Sequence, residues 1–179
     1  MWEAQYFPHI RPNQLLTSGG LGTMGFALPA AIGAKLGRPD DEVWAIAGDG
    51  GFQMSIPELA TIMQEKLNIK IAVINNHYLG MVRQQQDLMC NRRYSQTDLW
   101  TPNFRMVAEA YGMPGLYATT QSQAREVIAR ARSYDGPVLC EFLVEREVNV
   151  FPMVLPGNAL EDMARRQPVA QGTGYGSAK

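Results

Sequence analysis

Residues 43–76 limit the possible folds of this chain more than any other part of the sequence. They contain two short apolar runs, 43–47 and 69–74, each with the length and branched side chains of a buried strand. The residues between the two runs have helical spacing. This order predicts a βαβ unit, in which the two strands are parallel neighbours and end at the same edge of a sheet.

The alternation of strands and helices continues along the chain. Further helices are predicted at residues 26–36, 55–65, 81–89, 104–111 and 122–133, and further strands at 115–118, 138–144 and, very short, at 15–16. Ser55 and Glu58 have the spacing of a capping box. The pattern predicts an α/β fold, a three-layer α/β/α sandwich with a mostly parallel sheet. Residues 1–163 are predicted to form this domain and residues 164–179 a flexible tail, disordered from residue 172.

The composition is that of a globular protein, with 46% hydrophobic and 18% charged residues among 179, a length that suits one domain. A formal net charge of −1 gives no reason to expect nucleic acid or a membrane surface as a partner. The amino-terminal residues lack the basic and apolar regions of a signal peptide, and no apolar run approaches the ~18 residues of a membrane span, so a cytoplasmic location is predicted. Cys90 and Cys140 lack metal or redox spacing and are interpreted as idle thiols.

Glycine and polar residues follow both strands of the predicted βαβ unit. The first strand ends at GDGG (48–51) and the second at NN (75–76). Open α/β sheets bind ligands at the carboxyl ends of their strands, so Asp49 and Asn76 are expected to lie side by side at such an edge. A glycine turn alone is a weak signal, but a carboxylate and a carboxamide together suit a hard divalent cation that carries a phosphorylated ligand. The neighbouring His77 is interpreted as a solvated loop residue.

Four sequence motifs together carry a resemblance to a known family. They are SGGLGTMGFALPAAIGAK, GDGGFQM, NNHYLGMVRQQQ and VFPMVLPGNALEDM. GDG followed by NN at this spacing resembles the diphosphate motif of thiamine diphosphate enzymes. The whole set resembles the carboxyl-terminal third of acetolactate synthase, also called acetohydroxyacid synthase, over residues 1–163. The PMV-x-PG tail separates this family from most other thiamine diphosphate enzymes.

The resemblance implies thiamine diphosphate and Mg²⁺ as cofactors. The metal ligands that it implies are Asp49, the side chain of Asn76 and the backbone carbonyl of Tyr78. The cofactor-binding residues that it implies are Gly22, Met24, Gly48, Asp49, Gly50, Gly51, Asn76 and Met81. In the family, the backbone at the position of Gly22 contacts the aminopyrimidine, and amides at the positions of Gly50 and Gly51 hold the diphosphate. Met24 would wedge beneath the cofactor and keep it bent; outside its GTMG setting it would be interpreted as a core methionine.

Two residues of the run GMVRQQQ are implied in substrate selectivity. Met81 resembles the residue that faces the substrate side of the cofactor, although an apolar residue on a mobile helix is the alternative. Gln85 stands where the family commonly has a tryptophan that favours 2-ketobutyrate and forms part of the herbicide pocket. One methylene in a pocket is worth only ~1–3 kcal/mol, and an amide offers less apolar contact than an indole. We therefore expect weak discrimination between pyruvate and 2-ketobutyrate, and poor sulfonylurea binding.

The resemblance also implies parts that this chain lacks. The family reaction condenses pyruvate with pyruvate or 2-ketobutyrate, with loss of CO2, in branched-chain amino acid biosynthesis. The catalytic glutamate is implied to come from a pyrimidine-binding domain of the partner chain in a homo-oligomer, and the FAD of the family from a middle domain. No catalytic residue and no flavin site are therefore expected here. A regulatory small subunit is a further partner that the family allows. The irregular opening sequence fits a piece cut from a longer enzyme, which alone is expected to have little or no synthase activity.

Two other functions are considered. The first is the cofactor domain of another thiamine diphosphate-dependent 2-keto acid decarboxylase or oxidase; the PMV-x-PG tail and the GMV run favour acetolactate synthase instead. The second is a non-enzymatic nucleotide-binding module, which would bind ATP or NAD without dependence on magnesium. The sequence has no GxGxxG motif and no Walker lysine in the required place, and this argues against the second alternative.

Overall fold

The computed structural model describes residues 1–165 of the chain. Its elements are α1 (Trp2–Tyr6), α2 (Ala27–Gly37), β1 (Val43–Gly48), α3 (Asp49–Gln53), α4 (Glu58–Gln64), β2 (Ile69–Asn75), α5 (Gly80–Met89), α6 (Phe104–Ala110), β3 (Gly115–Ala118), α7 (Gln121–Ser133) and β4 (Val138–Leu143). A short 3-10 turn at Leu160–Asp162 follows the last strand. Within residues 1–165, no helix is both long enough and apolar enough to span a lipid bilayer.

The four strands form one parallel sheet in the order β1-β2-β4-β3. β1 pairs with β2 from Val43 opposite Ile69 to Gly48 opposite Ile74, which confirms the predicted βαβ unit. β2 lies between β1 and β4, and its almost fully buried branched sequence is the one that an interior parallel strand requires. The carboxyl ends of all four strands therefore lie at one edge.

Helices cover both faces of the sheet. On one face, α2, α3, α4 and α6 contribute to the larger hydrophobic cluster, in which the rings of Phe52 and Phe104 meet edge to face at 5.5 Å between centroids. On the other face, Val127 and Ala131 of α7 belong to a smaller cluster with β4. Successive side chains of a strand point to opposite faces, so β4 contributes to both clusters. The predicted three-layer α/β/α architecture is confirmed.

The helix predicted at residues 55–65 begins differently in the structure. The chain passes from β1 directly into α3 at Asp49, so the glycine motif is itself the first turn of a helix. α4 then starts at Glu58, after Pro57, and has no side-chain cap. The hydroxyl of Ser55 is buried and has no hydrogen-bond partner, so the predicted capping box is wrong. The reason is a turn between two helices, in which the Ser55 carbonyl accepts from the N–H of Glu58 at 3.0 Å.

The strand predicted at residues 15–16 is also wrong. These residues have no regular structure, and the only element before α2 is α1. A strand needs a neighbour to pair with, but β1, at the edge of the sheet, pairs only with β2. Every other predicted boundary of a helix or strand lies within one residue of the observed one. Ala164, at the start of the predicted tail, exchanges two backbone hydrogen bonds of 2.8 Å with Met153. The tail beyond residue 165, including the disorder predicted from residue 172, lies outside the described residues.

The two thiols are expected to differ in reactivity. Cys140 is fully buried in β4, and burial raises the pKa of its thiol to about 12, whereas Cys90 is partly exposed. Because the thiolate is the reactive form, one thiol per native chain should react with a disulfide reagent at pH 8, and both after denaturation. The Cys90→Ser variant should lose the native reaction and Cys140→Ala should keep it. Two rapidly reacting thiols in the native chain would contradict this expectation.

Candidate functional site

The site lies where β1 and β2 end. Gly48 closes β1 opposite Ile74, the next residue of β1's chain is Asp49 in α3, and β2 closes at Asn75. Parallel strands bring these ends to one edge, as predicted. The turn that contains Asn76 therefore follows β2 beside the helix start at Asp49, and His77 of this turn lies close enough to act on the Asp49 carboxyl.

Asp49 is the most unusual group at this edge. Its side chain is only 1% exposed, and its Oδ2 has no hydrogen-bond partner. Burial raises the pKa of the Asp49 carboxyl, and the N–H groups of Gly50 and His77 oppose this effect by favouring the charged form. A buried carboxylate oxygen without a partner is costly unless a cation or donor meets it. The structure therefore has an acceptor ready for a cation at this place.

Asn76 and Tyr78 lie in a tight turn that follows β2. The Asn76 Oδ1 accepts from the N–H of Tyr78 at 3.1 Å, and its Nδ2 donates to the carbonyl of Arg146 at 3.4 Å. A carboxamide oxygen has two lone pairs, so Oδ1 keeps one for a further ligand. The Tyr78 ring contacts two guanidinium groups, with its centroid 5.1 Å from Arg83 and 4.5 Å from Arg146. These contacts help to fix the turn.

Gly50 tolerates no side chain without movement of its neighbours. A Cβ atom there would lie 2.8 Å from Leu99 Cδ1, 2.9 Å from Leu79 Cδ2 and 3.1 Å from Met24 Cε. Met24 also approaches Gly51, whose Cβ position is 3.7 Å from Met24 Cγ. The structure thus brings the GTMG motif onto the first turn of α3, and it does so while 44% of Met24 remains exposed.

The other predicted site residues are less buried than Asp49. Gly22 is in an exposed turn with φ of 63°, and a Cβ there would meet nothing within 4 Å. Met81 is half-buried and Gln85 is exposed, both on α5. Helix α5 begins at Gly80, directly after the turn that contains Asn76 and Tyr78, so both residues follow the proposed metal ligands on the next element.

Helix α5 is fixed by polar rather than apolar contacts. Its three buried residues are Arg83, Gln84 and Asp87. The Gln84 amide bonds both backbone groups of Val150, accepting from its N–H at 2.6 Å and donating to its carbonyl at 2.8 Å. Asp87 accepts from Asn149 at 2.7 Å. The segment 147–150 therefore holds the helix that carries Met81 and Gln85.

Sequence reasoning missed a buried network beside the predicted ligands. Asn75 donates to Glu141 of β4 at 2.8 Å and accepts from the N–H of His77 at 3.1 Å. The His77 ring bonds Thr101 at 2.8 Å and is half-buried, so its interpretation as a solvated residue is wrong. A signal was present: Glu141 is the one acid within the apolar run VLCEFLV, and a buried charge in a strand needs a partner.

The donors at this edge suit a hard cation. Within residues 1–165, no three His, Cys, Asp or Glu side chains come together, so a site of the zinc or iron type is not indicated. A single carboxylate with carboxamide and carbonyl oxygens leaves several coordination positions for phosphate oxygens and water, as Mg²⁺ prefers. The partnerless Oδ2 of Asp49 is the structural observation that this donor set fits.

Residues 1–142 match a known protein family, the thiamine pyrophosphate enzyme, C-terminal TPP binding domain. The chain belongs to this family. The match includes GTMG, GDGG and NN, the motifs that the fold brings to one edge. Membership therefore agrees with the thiamine diphosphate cofactor that the sequence predicts.

Curated relatives confirm the predicted resemblance to acetolactate synthases. The chain is 49% identical over 169 residues to acetolactate synthase of Mycobacterium leprae, covering 91% of this chain and 27% of that protein. It is 43% identical over 167 residues to the acetolactate synthase isozyme 2 large subunit of Escherichia coli, covering 93% and 30%. The chain thus spans less than a third of the length of these relatives.

A solved structure has the same fold. It is the Rhodococcus jostii RHA1 thiamine diphosphate-dependent 4-hydroxybenzoylformate decarboxylase, with a TM-score of 0.65 and 31% identity. The match covers 69% of this chain and 24% of that one. The α/β architecture therefore recurs in an enzyme whose name states the same cofactor.

Proposed function

We propose that this chain is the diphosphate- and magnesium-binding part of an acetolactate synthase. The observation that carries the proposal is the buried Asp49 carboxylate with its partnerless Oδ2, beside the turn that contains Asn76. Identities of 49% and 43% to acetolactate synthases support this enzyme over other members of the family.

The proposed roles follow from the chemistry of each group. Asp49, the Asn76 Oδ1 and the carbonyl of Tyr78 hold Mg²⁺. The first-turn amides of Gly50 and Gly51 have no carbonyl partner within the helix and bind diphosphate oxygens, with the Gly50 N–H shared with the Asp49 carboxylate. Thiamine diphosphate, when bound, supplies the nucleophile and electron sink of the reaction.

Apolar residues complete the proposed site. Met24 supports the cofactor from below, and Leu79 and Leu99, which crowd the Gly50 position with it, exclude water from the first turn of α3. Gly22 contributes its backbone to the aminopyrimidine. Exclusion of water strengthens the attraction between the carboxylate and a cation, since the local dielectric constant falls.

The remaining steps belong to the longer enzyme. We include in the proposal that pyruvate condenses with a second 2-keto acid, and that a homo-oligomer supplies a pyrimidine-binding domain with the catalytic glutamate. A regulatory small subunit can join it. Met81 and Gln85 on α5 are proposed to face the substrates, and the exposed amide of Gln85 gives little apolar preference for 2-ketobutyrate.

Removal of the metal tests the proposed function directly. We expect thiamine diphosphate to bind the chain in the presence of Mg²⁺ and to lose at least about tenfold in affinity with excess chelator, because the diphosphate is held mainly through the ion. Isothermal titration with thiamine diphosphate, with and without EDTA, measures this. Thiamine without its diphosphate is the matched ligand control and should not bind. Equal affinities for the two ligands, or binding of ATP independent of Mg²⁺, would contradict the proposal.

A second function within the same family has one observation in its favour. The solved decarboxylase of Rhodococcus jostii shares the fold at 31% identity, so a 2-keto acid decarboxylase is the alternative. Incubating pyruvate with the longer enzyme that contains this chain separates the two. Acetolactate as the product supports the proposal, and acetaldehyde as the only product supports the alternative.

A further inference from the structure

The turn after β2 is held by residues from a distant strand. Asn75 is 1% exposed, and Glu141, its hydrogen-bond partner on β4 at 2.8 Å, is 6% exposed. The Oδ1 of Asn75 accepts from the N–H of His77 at 3.1 Å. A continuous chain of hydrogen bonds therefore runs from a carboxylate inside the sheet to the backbone of the turn.

This turn has a backbone conformation that requires support. His77 has φ of 57°, in the left-handed region that residues other than glycine rarely adopt. Such conformations persist where surrounding contacts determine them. Besides Asn75, the contacts come from residues 97–101: the His77 carbonyl accepts from Leu99 at 2.9 Å, and its ring bonds Thr101 at 2.8 Å.

The supported turn carries two of the three groups that are proposed to hold the cation. The Asn76 Oδ1 accepts from the N–H of Tyr78 at 3.1 Å, and the N–H of His77 also acts on the Asp49 carboxyl. A shift of the His77 peptide therefore moves both oxygen donors relative to the carboxylate. The direction in which these donors point depends on the Asn75 amide. That amide is oriented mainly by Glu141 at 2.8 Å, with a longer contact of 3.4 Å to the hydroxyl of Thr101.

We propose that Glu141 is a positioning residue for the metal site, acting through Asn75 on the turn that carries Asn76 and Tyr78. This inference rests on the proposed function, since it requires a cation at Asp49. An apolar residue would fill the same strand position without the penalty of a buried charge, so the carboxylate is explained by its bond to Asn75 rather than by packing. Outer partners of this kind orient metal ligands in many sites.

The test measures metal affinity rather than enzyme activity. Mn²⁺ replaces Mg²⁺, and the free ion is followed by electron paramagnetic resonance in the presence of saturating thiamine diphosphate. Glu141→Leu should weaken Mn²⁺ binding by about 10–100-fold, because the Asn75 amide loses its short bond to a carboxylate and keeps only the 3.4 Å contact with the Thr101 hydroxyl. Glu141→Gln retains an oxygen for Asn75 and should stay within about threefold of the wild type. A cleft of about 420 Å³, lined in part by Glu141, Asn75 and Thr101, leaves room for either side chain.

Two further variants separate positioning from loss of structure. Val138→Ala, which truncates a buried residue of the same strand, should lower thermal stability and leave Mn²⁺ affinity unchanged. Asn75→Ala should weaken Mn²⁺ binding, and the double variant with Glu141→Leu should be no weaker than the weaker single variant, because both act on one chain of hydrogen bonds.

The outcomes distinguish this inference from the function on which it rests. If Glu141→Leu and Asn75→Ala bind Mn²⁺ like the wild type while Asp49→Asn does not, the positioning role is wrong and the proposed function stands. Equal weakening by Val138→Ala and Glu141→Leu also overturns the positioning role. If the wild-type chain itself binds no Mn²⁺ with thiamine diphosphate, both fail together.

Discussion

Replacing Asp49 by asparagine is expected to make the metal-free chain more stable and, at the same time, to remove its magnesium-dependent affinity for thiamine diphosphate. The carboxylate is buried with a partnerless Oδ2, and burial raises its pKa, so the charged form is disfavoured in the folded chain at neutral pH. Asparagine keeps the shape without the charge. We expect the free energy of unfolding to rise by on the order of 1 kcal/mol. Cofactor affinity should fall by more than about 100-fold, which exceeds the effect of losing a residue that only orients a metal ligand.

Asp87 is the matched control for this prediction. It is also a buried aspartate, yet its surroundings favour the charge. Burial alone would raise the pKa of Asp87, but hydrogen bonds from Tyr94 and Asn149 and the nearby Arg92 guanidinium hold it below its usual value. A lowered pKa means that this stabilisation is present above the ordinary pKa of 3.8 and is lost as the pH falls below it. Asp87→Asn should therefore lower the free energy of unfolding at pH 7 by about 2 kcal/mol.

Urea denaturation at pH 7 with EDTA, together with cofactor titration in Mg²⁺, measures both variants. The opposite signs of the two stability changes are the decisive result. A destabilised Asp49→Asn chain would show that the carboxylate serves the fold, and an Asp49→Asn chain that still binds thiamine diphosphate through Mg²⁺ would remove Asp49 from the metal site.

Replacing Gly115 by alanine is expected to be among the most damaging single changes in the chain. Gly115 opens β3, and a Cβ atom there would lie 2.7 Å from the Cα and 2.9 Å from the carbonyl oxygen of Arg105. These are backbone atoms of α6, which packs against β3 and cannot yield by a side-chain rotation. Overpacking of this kind costs about 1–3 kcal/mol, and we expect the upper part of that range because helix and strand must separate.

Gly33 provides the control for a glycine-to-alanine change without crowding. It lies exposed in the interior of α2, and a Cβ there would meet nothing within 4 Å. Gly33→Ala should therefore stabilise the chain by up to about 1 kcal/mol through helix propensity alone. The midpoint of urea unfolding should move in opposite directions for the two variants. An unchanged midpoint for Gly115→Ala would mean that α6 is free to move away from the strand.

The fold could be predicted well from the sequence because its strands are interior and parallel. Runs such as Ile69–Asn75 are buried on both faces and have the branched composition that this position demands. The start of α4 was misplaced for a local reason: Ser55 and Glu58 have the spacing of a capping box, but their backbone groups are used in a turn between two helices. Spacing does not tell a cap from such a turn.

Of the candidate site, only the residues proposed to contact the metal and the cofactor could be predicted from the sequence. The two strand ends that carry Asp49 and Asn76 follow from topology, since parallel neighbours end together. The support from Glu141 depends on which strand lies on the far side of β2, and the strand order β1-β2-β4-β3 is not contained in any local pattern. The polar contacts that hold α5 were missed for the same reason, because Gln84 meets Val150, its partner, 66 residues away.

The polar contacts between segment 147–153 and α5 bear on the order in which the parts of the chain fold. The same segment contacts α1, where Gln5 donates to the carbonyl of Pro152 across 147 positions of sequence. The 66 positions between Gln84 and Val150 are no more than the 68 between Lys70 and Val138, which pair within the sheet, so loop length does not separate the docking of α5 from the pairing of the strands. The difference is that polar contacts do little to drive collapse. The parallel sheet and its apolar layers can therefore form first, with the substrate-side helix docking late. We therefore expect the part of the chain proposed to face substrates to open more readily than the apolar layers of the domain.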